Sequence, residues 1–90
     1  MANEEHLKIL KQGVEHWNKW REENESIKPA LQATNLSGAN LSGANLIKAN
    51  LFKANLSKAK LSKAKLRGAS LEDVDLYNAD LTSADQPTPI

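Results

Sequence analysis

The feature that most constrains this chain is a leucine at every fifth position from residue 31 to residue 81. The eleven leucines are Leu31, Leu36, Leu41, Leu46, Leu51, Leu56, Leu61, Leu66, Leu71, Leu76 and Leu81. An α-helix turns about 100° per residue, so a step of five would spread these leucines around every side of a helix. A flat strand alternates its side chains, so an odd step would send successive leucines to opposite faces. A chain that bends once per five residues gives them a common interior, as in a solenoid.

A small residue stands two positions before each leucine from Leu36 onward. These residues are Ala39, Ala44, Ala49, Ala54, Ala59, Ala64, Ala69 and Ala79, with Thr34 and Val74 as variants. The other three positions of each five-residue phrase hold mostly Asn, Asp, Ser, Gly and Lys, which favour turns or solvent. The pattern therefore predicts a narrow core of leucine and alanine inside a polar coat.

The tandem phrase A-(N/D)-L-x-x over residues 30–85 resembles the repeats of the pentapeptide-repeat family. The resemblance implies a mainly β fold, a right-handed four-sided parallel β-helix with one phrase per side and about 20 residues per coil. The departures from the phrase are Lys60, Lys65, Ser70 and Val74, which mark the third coil as less regular.

Charge spacing gives modest independent support for a coil of this length. Residues one coil apart stack at the strand spacing, where opposite charges are favourable and like charges are not. The pairs that fall one such coil apart are Lys53 with Asp73, Lys60 with Asp80, and Lys65 with Asp85. Within residues 30–85 no lysine meets a lysine at this separation, whereas at a separation of fifteen Lys48 meets Lys63.

The N-terminal part predicts one amphipathic α-helix over residues 3–24. Its apolar sector holds Leu7, Ile9, Leu10, Gly13, Val14, Trp17, Trp20 and His6, and Arg21 intrudes on it. Asn3 is the predicted N-cap and Asn24 the predicted C-terminal cap. Solenoid ends need capping, so we expect this helix to cover the first coil and Trp17 to be more shielded than Trp20.

The alternative for this helix is attachment to a membrane surface, which two tryptophans among lysines would suit. Residues 1–25 carry four basic and six acidic side chains, a net charge of −2 that opposes binding to anionic lipid. The expected organisation is therefore a capping helix over 1–26, a pentapeptide-repeat β-helix over 27–85 and a disordered tail over 86–90.

The net charge of +1 conceals a segregation of charge. Residues 48–67 carry seven positive charges and no negative one, and five acidic residues follow between Glu72 and Asp85. We call residues 48–67 the basic belt. We interpret its charges as keeping the protein soluble and helping to fix the register between neighbouring coils. The alternative is polyanion or nucleic-acid binding. The residues predicted to carry that alternative are Lys58, Lys60, Lys63, Lys65 and Arg67. Nucleic acid is the less favoured partner, because the belt wraps several faces and lacks interleaved aromatic residues.

Catalysis finds no support in the sequence. His6 and His16 lie ten residues apart on the predicted helix, about 15 Å, which is too far for a shared metal. Gly38 and Gly43 are repeat positions and not a phosphate loop. We predict no catalytic, cofactor-binding or metal-binding residues and no cofactor.

The expected function is that of a non-enzymatic scaffold for an unidentified protein partner. Ile47, Phe52 and Tyr77 occupy outward positions and are the candidate interaction residues. Long acidic members of the family mimic DNA, but this chain has few coils and a slight positive charge, which disfavours that role. We expect a cytoplasmic protein, since the chain has no cysteine, no signal-peptide pattern and no apolar run long enough to span a bilayer.

A homodimer through the C-terminal coil is a further expectation. The sequence offers no helix to cover that end, and a self-complementary contact across a twofold axis would bury it. Asp75, Asp80 and Asp85 oppose the contact through like charges, and a tail folded back over the end is the rival arrangement.

Overall fold

The structure of the chain, a computed structural model, describes residues 1–85. Two helices come first, α1 (Glu4–Lys11) and α2 (Val14–Glu23). The prediction of one continuous helix over 3–24 is therefore wrong. Gly13 has a φ of 112°, far from the roughly −63° of an α-helix, so the chain breaks there and starts a second helix.

The two predicted helix caps are confirmed. The Oδ1 atom of Asn3 accepts hydrogen bonds from the backbone N–H groups of Glu5 and His6, at 2.9 and 3.1 Å. These bonds satisfy two of the unpaired donors at the start of α1. At the other end of the segment, Asn24 follows α2, and its Nδ2 donates to the Trp20 carbonyl at 2.9 Å.

Single-residue parallel β-bridges join residues 20 positions apart along the repeat region. The bridges are Ala30 with Asn50, Asn35 with Asn55, Asn40 with Lys60, Asn45 with Lys65, Asn50 with Ser70, Asn55 with Asp75, Lys60 with Asp80, and Lys65 with Asp85. One coil thus contains four phrases, as the charge pairs indicated. Among residues 1–85 no bridge extends into a longer strand, because every phrase spends part of its length turning the corner to the next side.

Each phrase turns through a residue with positive φ two positions after its leucine. The residue that follows then donates back to the leucine carbonyl, as Ala39 does to Leu36 at 3.1 Å. Glycine holds three of these corners, at positions 38, 43 and 68, with φ between 70° and 74°. Lys48, Lys53, Lys58 and Lys63 hold four consecutive corners with φ between 59° and 62°, a region that non-glycine residues enter at some cost in energy.

The Asn or Asp before each leucine has a specific structural task. Its side-chain oxygen accepts a hydrogen bond from the backbone N–H two residues later, at 2.9 to 3.2 Å. This local bond fixes the entry to the turn. Lys60 and Lys65 cannot accept such a bond through an ammonium group, so the two sides that they begin lack it.

We number the four sides by their first leucines: side 1 from Leu31, side 2 from Leu36, side 3 from Leu41 and side 4 from Leu46. The leucines and alanines of all sides point inward and form one core with Ile9, Leu10 and Trp17. Leu56 is fully buried, as predicted, between Leu36 and Leu76 on side 2. The four leucines of the first coil are at most 5% exposed, whereas Leu71, Leu76 and Leu81 are only partly buried.

Thr34, a variant at the small-residue position, and Pro29, two positions before Leu31, are both accommodated in the core. The hydroxyl of Thr34 donates to the Leu31 carbonyl at 2.7 Å, so its burial leaves no unsatisfied donor. Pro29 is fully buried at the start of side 1, and its carbonyl accepts from the Asn50 N–H at 2.7 Å.

The predicted disordered tail, residues 86–90, lies outside the described residues. Within residues 1–85, no helix combines the length and the apolar content needed to cross a membrane.

Candidate interaction surfaces

Ile47 and Phe52 lie on adjoining sides, Ile47 on side 4 of the first coil and Phe52 on side 1 of the second coil. Both side chains are half-buried at outward positions. The corresponding positions on sides 2 and 3 hold serine or threonine, with Tyr77 as the exception. Ile27 stands one coil before Ile47 in the same column and is 37% exposed. Ile27 and Ile47 thus precede the corner that Lys48 occupies, Phe52 lies on the side that follows it, and we call these four residues the corner surface.

A shallow groove of about 550 Å³ crosses three coils at this corner. Its lining residues are Lys28, Ala30, Lys48, Ala49, Asn50, Gly68 and Ser70. Gly68 contributes to its shape, because a Cβ there would lie 3.2 Å from Cγ of Lys48. The floor is built from small side chains, and two lysines stand at its edge.

Tyr77 does not share this surface. It lies on side 2, above Ser57 in the same column, and is 68% exposed. The three predicted interaction residues therefore lie on three successive sides, Ile47 on side 4, Phe52 on side 1 and Tyr77 on side 2 one coil further on.

The basic belt wraps all four sides, and on sides 3 and 4 carboxylates lie one coil away. Lys60 bridges to Asp80 and Lys65 bridges to Asp85, and Arg67 forms an ion pair with Asp85 at 3.6 Å. The hydroxyl and backbone N–H of Thr82 donate to Asp80 and lower the pKa of that carboxyl, and Lys60 adds a smaller effect. Three of the five predicted polyanion-binding residues thus have an anionic neighbour, while Lys58 and Lys63 stand at corners above Gly38 and Gly43.

The predicted charge pairs are neighbours in register but are not close ion pairs. Among residues 1–85, the only pair of opposite charges within 4.0 Å is Arg67 with Asp85. Exposed pairs of this kind contribute little to stability, so the lysine–aspartate columns mainly balance charge between coils.

A second surface, which the sequence did not reveal, joins α2 to the edge of side 4. Trp17 Nε1 donates to the Asn45 carbonyl at 2.8 Å. Asn18 Oδ1 accepts from the Asn45 N–H at 2.8 Å, and its Nδ2 donates to the Gly43 carbonyl at 3.0 Å. In the next coil Lys65 occupies the position of Asn45, and its N–H and carbonyl pair with the backbone of the preceding coil. The side chains of Trp17 and Asn18 supply those two partners for Asn45.

Arg21 makes the corresponding contacts at the next corner. Its side chain is buried, with the residue only 3% exposed, and it donates to the carbonyls of Ile27 and Ile47 at 2.7 and 3.0 Å. Burial lowers the pKa of this guanidinium, and Glu25 opposes the shift. Arg21 falls in the apolar sector of the helical projection. Its guanidinium nevertheless finds two hydrogen-bond acceptors, backbone carbonyls that belong to successive coils.

The start of α1 is tied to side 1 through both backbone groups of Ala30. The Ala30 carbonyl accepts from the Asn3 N–H at 2.9 Å, and the Ala30 N–H donates to Nδ1 of His6 at 3.0 Å. The His6 ring packs against Trp20 with a centroid distance of 5.0 Å, and Trp20 packs against Trp17 at 5.2 Å. Trp17 is fully buried and Trp20 partly exposed, as predicted.

No cluster of three or more His, Cys, Asp or Glu side chains suited to a metal ion occurs in the part of the chain that the structure describes.

Comparisons with known proteins give the same assignment as the repeats. The family model for pentapeptide repeats (eight copies) matches residues 30–62 and 54–85. The chain is similar to the crystal structure of a pentapeptide repeat protein from the cyanobacterium Cyanothece 51142, with 39% identity over 62% of this chain and a TM-score of 0.41. It is also similar to a pentapeptide repeat protein from Nostoc Pcc 7120, with 32% identity over 67% of each chain and a TM-score of 0.29.

The chain spans 42% of the length of the Cyanothece protein. A comparison with curated protein sequences gives no match. The matched repeats cover residues 30–85 with one uninterrupted phrase, and the chain therefore belongs to the pentapeptide-repeat family.

Proposed function

We propose that the chain is a non-enzymatic scaffold that binds a protein partner through the corner surface. The observation that carries the proposal is the position of Ile27, Ile47 and Phe52, three apolar side chains that face outward around one corner of an otherwise polar coat. The interior is filled, with the leucines of the middle coil at most 1% exposed. A partner of such a molecule can therefore contact only the side chains that face outward from the coils.

The charge around the corner suggests the chemistry of the partner. Lys28 and Lys48 line the groove, and Nζ of Lys53 lies 5.3 Å from the centroid of the Phe52 ring. Apolar contacts provide affinity, and a ring of like charge selects a complementary partner. A segment with apolar side chains flanked by carboxylates fits this surface best.

The proposal assigns capping to the helical segment. Side chains of Trp17, Asn18 and Arg21 satisfy backbone groups at the edge of the first coil, and the apolar residues of both helices cover its leucines. Unpaired edges invite association with other chains. The cap thus directs recognition away from the end of the solenoid and toward its sides.

The repeat itself provides matched variants for a test. Serine is found at the same position of the phrase on sides 2 and 3, so Ile47→Ser with Phe52→Ser should fold as the wild type does. Tyr77→Ser is the control at an equivalent outward position. We expect a specific protein, captured from the native cell and then purified, to bind the wild type and the Tyr77 variant and to lose at least about tenfold in affinity for the double variant.

Equal affinity for the wild type and the double variant would contradict the assignment of the corner surface. Polyanion binding through the basic belt stays a prediction, and the same samples test it. A salt-sensitive retention on DNA or RNA that disappears when Lys58, Lys60, Lys63, Lys65 and Arg67 become glutamine would favour polyanion binding over the protein scaffold.

A further inference from the structure

The contact between His6 and Ala30 differs in kind from the other contacts that bind the helices to the first coil. Trp17, Asn18 and Arg21 keep their hydrogen-bonding character at every physiological pH. His6 accepts the Ala30 N–H through Nδ1 at 3.0 Å, and a ring nitrogen can accept only while it carries no proton. The bond therefore requires the neutral imidazole with its proton on Nε2.

We propose that His6 is an acid-sensitive latch that holds α1 on the first coil when neutral and releases it when protonated. This inference is independent of the partner-binding proposal. Protonation places a hydrogen on Nδ1 that faces the hydrogen of Ala30, so an attractive contact becomes repulsive. The bond between the Ala30 carbonyl and the Asn3 N–H and the packing of Leu7 on the core then remain to hold the start of α1.

The charged groups around His6 favour the neutral ring. Burial lowers the pKa of the imidazole below its ordinary value of 6.5, Arg21 of α2 lowers it further, and Glu5 of α1 opposes them. On the coil side the ring meets the backbone of Ala30, and the nearest ionisable side chain along the chain there is Lys28. Burial and the Arg21 cation thus outweigh Glu5 and disfavour a positive charge on His6.

The consequence has a definite direction with pH. Because the folded protein holds His6 deprotonated, the unfolded chain binds more protons below about pH 6.5. The contribution of the latch is complete above that value, and it falls as the pH drops through 6.5 toward the pKa of the folded state. Carboxylates titrate lower, so the window between about pH 7.5 and 5 isolates the histidine.

Amide hydrogen exchange of Ala30 tests the latch locally. The N–H groups of Asn50 and Ser70 occupy the same column of side 1 and donate to backbone carbonyls at 2.7 and 2.9 Å, so they are internal controls. We expect protection of the Ala30 amide to fall about tenfold relative to those two amides between pH 7.5 and 5, after correction for intrinsic exchange. An Ala30 amide whose relative protection stays constant while the His6 ring titrates would overturn the proposal.

Two substitutions separate the latch from a purely structural role. His6→Asn places an amide oxygen near the position of Nδ1 and does not titrate, so it should abolish the pH dependence of Ala30 protection. His16→Gln changes the exposed histidine of α2 and should leave that dependence as in the wild type. If His6→Asn kept the pH dependence, another group would be responsible. Should that variant fail to fold, the NMR titration of His6 and Ala30 in the wild type still decides.

Discussion

The Oδ1 atom of Asn18 accepts a hydrogen bond of 2.8 Å from the backbone N–H of Asn45, where later coils place a backbone carbonyl. The amide nitrogen of the same side chain donates to the Gly43 carbonyl. One side chain in α2 thus supplies, for the N–H of Asn45, the acceptor that the preceding coil supplies for the N–H of Lys65.

Replacing Asn18 with leucine tests this relationship. Asn18→Leu keeps the approximate shape but leaves the Asn45 N–H and the Gly43 carbonyl without partners. Unsatisfied buried groups cost about 1–3 kcal/mol, and we expect a loss of this size in the free energy of unfolding measured by denaturant titration. Glu15→Ala, at an exposed position of α2, is the control and should stay within about 0.5 kcal/mol of the wild type. An Asn18→Leu variant as stable as that control would contradict the bridging role.

Arg21→Met removes the two donors to Ile27 and Ile47 while retaining most of the aliphatic packing. The two carbonyls lose a charged donor, and removal of a buried charge offsets part of the loss. We expect a net destabilisation of about 2 kcal/mol. Arg21→Lys should recover only part of it, because an ammonium cannot span two carbonyls with the planar fork of a guanidinium. Full recovery in the lysine variant would show that charge alone matters at this position.

The turn residues before the leucines give a comparison at matched positions. Asn55→Ala removes the acceptor for the Ser57 N–H and hydroxyl and should lower the free energy of unfolding by about 1 kcal/mol. Lys65→Ala, at the same position of its phrase, removes no such acceptor and should change it by less than about 0.5 kcal/mol. Equal effects of the two substitutions in thermal melts would refute the role given to these asparagines.

The repeat core could be predicted from the sequence because it follows from the period, whereas the coil length was implied by the family resemblance and modestly supported by the charge spacing. A leucine every five residues fits the interior of a solenoid. The lysine–aspartate spacing favoured a coil length that the bridge between Lys60 and Asp80 confirms. The caps at Asn3 and Asn24 were also predictable, since capping is local chemistry.

The helix–coil interface could not be predicted in the same way. Asn18 fell on the polar side of a helical projection, and its contacts lie 25 and 27 residues away. Arg21 fell on the apolar side, and its burial depends on two carbonyls of successive coils. Gly13 was placed within one long helix because periodicity does not report backbone dihedral angles. A glycine inside a helical pattern was the one available signal of the break.

A homodimer through the last described coil stays a prediction. Leu71, Leu76 and Leu81 are only partly buried there, and aspartates precede two of them. If a twofold contact forms, added salt should screen the aspartates and strengthen it. Sedimentation velocity at micromolar concentration measures this, and a monomer whose mass is unaffected by salt would contradict the dimer.

Removal of residues 1–25 tests most directly the claim that the helices and the solenoid form one folding unit. The deletion takes away the partners of Asn45, Gly43 and Ile47 and uncovers the leucines of the first coil. We predict aggregation or loss of the cooperative thermal transition. A truncated chain that stays monomeric and melts cooperatively at the wild-type temperature would contradict the account.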